Sequence, residues 1–199
     1  ASDLGLRLVS AALMIPFALW IVWQGGVWLA LGCSVFAMAM AYEWVRMSAS
    51  PMMKLFIPLA MIPVLIAALV GPLAGLCIWI LTAILGGGLH PLAHERRHAM
   101  AGLAYIAGMP LAMFLLREAP YEAWNGLLAA LIIMGMVWGS DAAAYFTGRH
   151  FGGPSLTPES PSKTWSGAIG AVVFTALCGV LAAWITGGNL ILWIFMGAM

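Results

Sequence analysis

Long apolar runs separated by short polar segments dominate the pattern of this chain. Seven of these runs approach the roughly 20 residues that a helix needs to cross the hydrocarbon core of a bilayer. Three of the connections between them contain glycine and are predicted to be tight turns, at residues 24–26, 71–72 and 187–189. We predict transmembrane helices over residues 6–24, 26–43, 55–72, 73–90, 100–117, 124–147 and 166–186. The pattern therefore predicts an all-α fold, a polytopic integral membrane helical bundle with seven full transmembrane helices.

An eighth apolar run begins at Leu190 and has ten residues up to Met199. A helix of that length covers about 15 Å, which is half of the hydrocarbon core. Carbonyl groups that end inside lipid have no hydrogen-bond partners. We therefore expect a truncated eighth helix and a protein that continues further.

By its motifs the chain divides into N-terminal transmembrane helices over 1–123 and a second part, with the candidate chemistry, over 124–199.

The charged residues are few and unevenly placed. Hydrophobic residues make up 64% of the 199 positions and charged residues 8%, whereas soluble domains carry about 25% charged residues. This composition excludes an ordinary soluble enzyme, a disordered chain and a free nucleic-acid-binding module. With the exception of Arg117, the basic residues fall on one side of the predicted topology, which the positive-inside rule makes cytoplasmic together with the N-terminus. These residues are Arg7, Arg46, Lys54, Arg96, Arg97, Arg149 and Lys163.

Candidate chemistry is concentrated between residues 138 and 170. Asp141 follows a long apolar run, and an ionisable side chain at such depth is a functional candidate because it costs a few kcal/mol. On a helix Asp141 shares one face with Tyr145 and Arg149. The alternative is a structural ion pair between Asp141 and either Arg149 or Lys163. An adjacent stripe of small residues, which would leave room for a ligand, contains Ser140, Ala144 and Gly148.

The polar loop that follows predicts an anion site. Because Pro161 disfavours helix in the residue before it, the next helix is predicted to start between Ser162 and Thr164. Free backbone N–H groups, two hydroxyls, the Lys163 ammonium and the positive end of the helix dipole would then converge on a phosphate. With a carboxylate able to hold Mg²⁺, this indicates phosphoryl or nucleotidyl transfer at the cytoplasmic face. An ordinary cytoplasmic connection explains the loop equally well from the residues alone.

The same segment resembles the core motif of the phosphatidate cytidylyltransferases, or CDP-diacylglycerol synthases. Outside it, the resemblance extends to the polytopic character and to Glu43-Trp44 after the second span. Glu159 departs from the family pattern, in which a basic residue is common and the loop is one residue longer. The family's C-terminal signature, with a second acidic cluster, is absent from these 199 residues. The matching positions are Ser140-Asp141, Ala144-Tyr145-Phe146, Gly148-Arg149, Phe151-Gly152, Leu156, Pro158, Ser160-Pro161, Lys163-Thr164-Trp165, Gly167 and Ile169-Gly170.

The resemblance implies a membrane enzyme of the bacterial inner membrane that makes CDP-diacylglycerol and pyrophosphate from CTP and phosphatidic acid. It implies membrane lipids as partners, no nucleic acid, and Mg²⁺ as cofactor, with a second cation and a homodimer left open. Asp141 would be a catalytic residue and metal ligand, and Lys163 a second catalytic residue. Glu43 would be a further carboxylate at the same face, unless it pairs with Arg46. Substrate-binding roles would fall to Arg149, Ser160, Ser162, Thr164, Ser140 and Tyr145.

Three other interpretations stay open at this point. His90, His94 and His98 follow the spacing of a helical zinc site, although the segment is predicted to be a loop. A transporter would use Asp141 as an ion or proton relay, and would be expected to show the internal repeats of that class, of which we find no convincing example. A non-catalytic membrane scaffold is the third. Magnesium-dependent CTP turnover would separate the enzyme from the transporter and the scaffold.

Overall fold

The computed structural model describes residues 2–48, 54–88, 96–118, 125–158 and 160–187. The chain divides into two compact units, Ala1–Ala130 and Leu131–Met199. The division predicted from the motifs, at residue 123, stays a prediction. The eighth apolar run lies outside the described residues. The elements are α1 (Ser2–Gln24), α2 (Gly26–Ser48), α3 (Phe56–Leu69), α4 (Pro72–Gly88), α5 (Arg96–Glu118), α6 (Asn125–Phe151), β1 (Ser155–Thr157), β2 (Ser160–Thr164) and α7 (Trp165–Thr186).

The lengths of the helices confirm an integral membrane protein but not seven full spans. In the described parts of the chain, four segments are long and apolar enough to cross a membrane. With 14 residues, α3 extends about 21 Å, which is less than the roughly 30 Å of the hydrocarbon core. Its predicted range was too long because the chain turns at Gly71, where φ is 130°. The four segments are Gly26–Met47, Arg96–Glu118, Gly126–Phe151 and Trp165–Thr186.

The three predicted glycine turns are confirmed where the structure describes them. Gly25 and Gly26 separate α1 from α2 with φ values of 65° and 49°, which favour glycine because a Cβ would clash there. Gly71 is followed by Pro72 at the first position of α4, where a missing N–H group has no consequence. Gly187, with φ of 64°, ends α7 in the left-handed conformation.

The core of the first unit joins the C-terminal half of α2 to the first turns of α3 and α5. Small residues let these helices approach closely, and the ring of Trp44 covers Gly102, where a Cβ would collide with the indole. The indole N–H of Trp79 donates to the carbonyl oxygen of Ala104 at 2.8 Å and ties α4 to α5. The buried members of the cluster are Ala37, Ala41, Phe56, Ala60, Ala99, Leu103 and Ile106.

The end of α5 carries a clamp on the turn between α1 and α2. The turn breaks the helical bond between the Gly26 amide and the Val22 carbonyl. Glu118 Oε1 accepts from the Gly26 amide at 2.9 Å, and Arg117 Nε donates to the Val22 carbonyl at 2.9 Å. Arg117 Nη2 also donates to the Trp23 carbonyl at 3.1 Å. The one basic residue on the far side of the predicted topology therefore neutralises the negative end of the α1 dipole.

We expect Arg117→Leu to lower the free energy of unfolding by about 2 kcal/mol, because two carbonyl groups lose a charged donor. Glu118→Gln is the matched control, since its amide oxygen still accepts from Gly26 and the loss should be smaller. Denaturation of the two variants in mixed micelles measures the difference. Equal stability of Arg117→Leu and the wild type would show that the clamp contributes nothing.

Candidate active site

The last three turns of α6 display the first group of candidate residues. Arg149 Nη1 donates to the Tyr145 hydroxyl at 2.6 Å, and its guanidinium carbon lies 5.9 Å from the centre of the Tyr145 ring. The predicted shared face of these two residues is thus confirmed. Asp141 lies one turn before Tyr145 and is exposed. No ion pair joins it to Arg149 or Lys163 among the described side chains, so the structural ion pair considered from the sequence is not formed.

The stripe of small residues beside this face makes room for α7 rather than for a ligand. A Cβ at Gly148 would lie 2.8 Å from Thr164 Oγ1 and 3.5 Å from the Cα of Gly167. A Cβ at Gly167 would in turn lie 2.9 Å from the carbonyl oxygen of Ala144. The expectation of a ligand cavity at Ala144 and Gly148 is therefore wrong, because the start of α7 already occupies that space. Ser140, the third member, donates its hydroxyl to the Val137 carbonyl at 2.8 Å.

Two glycines after α6 let the chain fold back on itself. Gly152 has φ of 60° and Gly153 has φ of 111°, and the Gly152 amide donates to the Gly148 carbonyl at 3.0 Å. Side chains other than glycine rarely adopt such values. The chain leaves α6 here and enters a two-stranded antiparallel hairpin of β1 and β2. The hairpin is an addition to the predicted all-α fold.

The hairpin carries Lys163 in a bulge. Ser155 pairs with Thr164 and Thr157 pairs with Ser160, so β2 has two more residues than β1 between the paired positions. Pro161 contributes to this irregularity because it has no N–H group for the ladder. Ser162 and Lys163 stand in the bulge and are both exposed. The helix was predicted to start between Ser162 and Thr164. Ser162 and Lys163 are extended, and Thr164, at the end of that range, is the N-cap of α7.

Thr164 ends the hairpin and caps α7. Its Oγ1 accepts from the Gly167 amide at 3.2 Å and lies 3.0 Å from the hydroxyl of Ser166. The Ser166 hydroxyl donates to the Gly152 carbonyl at 2.5 Å, so Thr164 must be the donor between the two hydroxyls. The Trp165 amide donates to the Pro154 carbonyl at 3.2 Å. The amides of Trp165 and Gly167 at the start of α7 are thus used by the fold itself and are not free to hold an anion.

These contacts sort the predicted residues into two groups. Thr164 and Tyr145 hold other parts of the protein in place. The side chains of Asp141, Lys163 and Ser162 are exposed and make no hydrogen bond with a described residue. Sequence reasoning missed Ser166 and the role of Gly152. The signal for Ser166 was its place two residues after an N-cap threonine, where its hydroxyl can reach back over the helix start. Ser160 is half-buried at the turn of the hairpin.

The described residues give a limited set of metal donors. No group of three or more His, Cys, Asp or Glu side chains within them is placed to share a metal ion. The Asp141 carboxylate is exposed and forms no ion pair with a described residue. It is the one acidic group that α6 offers, and Mg²⁺ can be held by one or two carboxylates when substrate phosphates supply further ligands. The predicted histidine site includes His90 and His94, which lie outside the described residues, and it stays a prediction. Glu43 is exposed and forms no described ion pair with Arg46.

The chain belongs to the Cytidylyltransferase family, which it matches over residues 5–199. Fold and family together define a polytopic membrane enzyme with a helix–hairpin–helix segment. The phosphatidate cytidylyltransferase of Brucella suis is 34% identical over 196 residues, which cover 92% of this chain and 68% of the relative. That of Pseudomonas aeruginosa is 30% identical over 83% of this chain and 65% of its own length. No solved structure matches the chain.

We expect Gly148→Ala to displace the hairpin from α6, because its methyl group would lie 2.8 Å from Thr164 Oγ1. Such overpacking costs roughly 1–3 kcal/mol. Trypsin should then cleave faster after Lys163 than in the wild type. Gly135→Ala is the control on the same helix, since nothing lies within 4 Å of a Cβ there. Equal cleavage rates in the two variants would contradict the proposed contact.

Proposed function

We propose that this protein transfers the cytidylyl group of CTP to phosphatidic acid and releases pyrophosphate, at the cytoplasmic face of a bacterial inner membrane with the N-terminus inside. The observation that carries the proposal is the arrangement of one exposed carboxylate, one oriented guanidinium and one exposed ammonium on α6 and its hairpin. The names of the Brucella and Pseudomonas relatives support the choice of substrates. The distribution of Lys and Arg along the sequence supports the orientation.

The chemistry needs charge stabilisation more than proton removal. A phosphomonoester loses its second proton with a pKa of about 6, so the lipid phosphate is already a nucleophile at neutral pH. One of its oxygens forms a bond to the α-phosphorus of CTP while the bond from that phosphorus to the bridging β-oxygen breaks. Pyrophosphate leaves with the electron pair of the broken bond. Positioning and electrostatic stabilisation therefore account for most of the catalysis.

Lys163 and Arg149 are the residues that supply the positive charge. Lys163 projects from an irregular strand as a point charge, which suits the several oxygens of a leaving pyrophosphate. Arg149 is oriented by Tyr145, and its remaining N–H groups can grip a phosphate in a fixed geometry. Ser162, beside Lys163 in the bulge, adds a free hydroxyl donor. Ser160 is the second hydroxyl that we assign to substrate.

Asp141 is the residue that we assign to Mg²⁺. Bound there together with the CTP phosphates, the ion would offset negative charge on the phosphates as they react. Arg149 lies on the same helix eight residues further on, about 12 Å along the axis, and so reaches different oxygens of the substrates. Carboxylate and guanidinium can thus act on the substrates without neutralising each other.

The structure changes the role that we assign to three other residues. Tyr145 positions Arg149 through the 2.6 Å hydrogen bond. The Thr164 hydroxyl donates its hydrogen bond to Ser166, so we assign Thr164 to the support of the hairpin. The Ser140 hydroxyl donates to the Val137 carbonyl, so this hydroxyl can only accept a hydrogen bond from a substrate.

We expect Asp141→Asn and Lys163→Ala each to reduce pyrophosphate release from CTP by at least roughly a hundredfold, as loss of a charged transition-state contact does. Both side chains are exposed and form no ion pair with a residue that the structure describes, so both variants should melt like the wild type. Ser155→Ala, an exposed change on the facing strand, is the control and should keep full activity. Turnover at the wild-type rate in either charged-site variant would remove that residue from the mechanism.

Tyr145→Phe should weaken catalysis through Arg149 alone. Removal of the hydroxyl leaves the ring beside the guanidinium, but Arg149 is no longer held in one orientation by the hydrogen bond. We expect a loss of roughly threefold to tenfold in kcat/KM. Arg149→Gln should cost more, and adding Tyr145→Phe to Arg149→Gln should cost nothing further. A full additional loss in the double variant would show that Tyr145 contacts the substrate itself.

A further inference from the structure

Three basic residues converge at one end of the first unit. Arg46 follows Val45, which packs on the core cluster, in the last turn of α2. Lys54 stands two residues before Phe56, and Arg97 two residues before Ala99, both members of that cluster. Because the cluster joins these three helix ends, the cations they carry lie at the same end of the unit. We refer to Arg46, Lys54 and Arg97 as the basic rim.

The rim is exposed and is not neutralised by the described part of the chain. All three side chains face outward, and none forms an ion pair with a carboxylate among the residues that the structure describes. Glu43 is the one acidic residue in the described turns near the rim, and it leaves the rim with a net positive charge. A cluster of positive charges that packing holds together attracts anions.

Exposed apolar side chains border the rim. Met47 follows Arg46, Leu55 follows Lys54, and Met100 lies one turn into α5 after Arg97. A ligand that meets the cations therefore also meets apolar surface. A lipid has both parts, an anionic headgroup for the cations and acyl chains for the apolar surface, whereas a soluble polyphosphate has only the first.

We propose that the basic rim binds the phosphate headgroup of an anionic phospholipid, with a preference for a phosphomonoester over a zwitterionic headgroup. A phosphomonoester carries a charge of about −1.5 to −2 at neutral pH, and basic clusters next to membrane helices attract such lipids. The proposal goes beyond the proposed reaction, because it concerns the first unit and is tested in the absence of CTP.

Native mass spectrometry of the purified full chain in mild detergent tests this directly. Equal amounts of dioleoyl phosphatidic acid and dioleoyl phosphatidylcholine are added, and the retained lipids are counted. The wild type should retain phosphatidic acid preferentially. The comparison is made on a chain that also carries Arg149→Gln and Lys163→Gln, so that lipid held at the candidate active site is not counted. In that chain the triple change Arg46→Gln, Lys54→Gln, Arg97→Gln should lower retention roughly a hundredfold, since each of the three cations contributes about fivefold in affinity. Arg46→Lys with Arg97→Lys keeps the charge and should retain the lipid.

Two results would overturn the proposal. Retention by the triple glutamine variant at the wild-type level would show that the rim serves only as a topological signal. Displacement of the lipid by CTP or glycerol 3-phosphate would show that it binds soluble phosphates. If the triple variant fails to fold, the three single glutamine variants decide, and each must lower retention several-fold. A loss of CTP turnover in Asp141→Asn with unchanged lipid retention would separate this proposal from that of the reaction.

Discussion

The close approach of α6 and α7 is the constraint on which the candidate active site depends. Gly148 and Ala144 on one helix and Gly167 on the other have no side chains large enough to keep the backbones apart. The cap from Thr164, completed by Ser166 and the Gly152 carbonyl, fixes the end of the hairpin against the end of α6. As a result, the bulge that carries Lys163 is anchored at Thr164 against the end of the helix that carries the carboxylate and the guanidinium.

In the first unit too, side chains pair with backbone groups that the helices leave without partners. Inside a bilayer an unpaired backbone group is costly, so polar side chains appear where the helical ladder is interrupted. Arg117 and Glu118 take the carbonyl and the amide that the turn between α1 and α2 separates. At the other end of the unit the three cations of the basic rim form no ion pair with a described residue, which is why we assign the rim to the membrane surface.

Much of the fold follows from the sequence because the signals are local. The glycine turns at Gly25, Gly71 and Gly187 and the apolar runs place the helices to within a few residues. The hairpin could not be predicted because its strands are short, rich in serine and threonine, and held by the Trp165 and Ser166 contacts rather than by their own pattern. The clamp by Arg117 was also missed, since it joins residues more than 90 positions apart.

The candidate site divides in the same way. Helical spacing placed Tyr145 and Arg149 on one face correctly, because a helix repeats every 3.6 residues. It could not show that the stripe at Gly148 is filled by α7, since that depends on where another segment folds. Nor could it show that the Thr164 hydroxyl is already engaged, which requires the positions of Ser166 and Gly152.

The most direct test of this account is a double-mutant cycle on Arg149→Gln and Lys163→Gln, measured as pyrophosphate release from CTP with phosphatidic acid and Mg²⁺. If the helix and the hairpin hold one reacting substrate together, each single change should remove most of the activity. The double variant should then lose far less than the product of the two losses. Strictly multiplicative losses, or a wild-type protein that releases no pyrophosphate, would contradict the account.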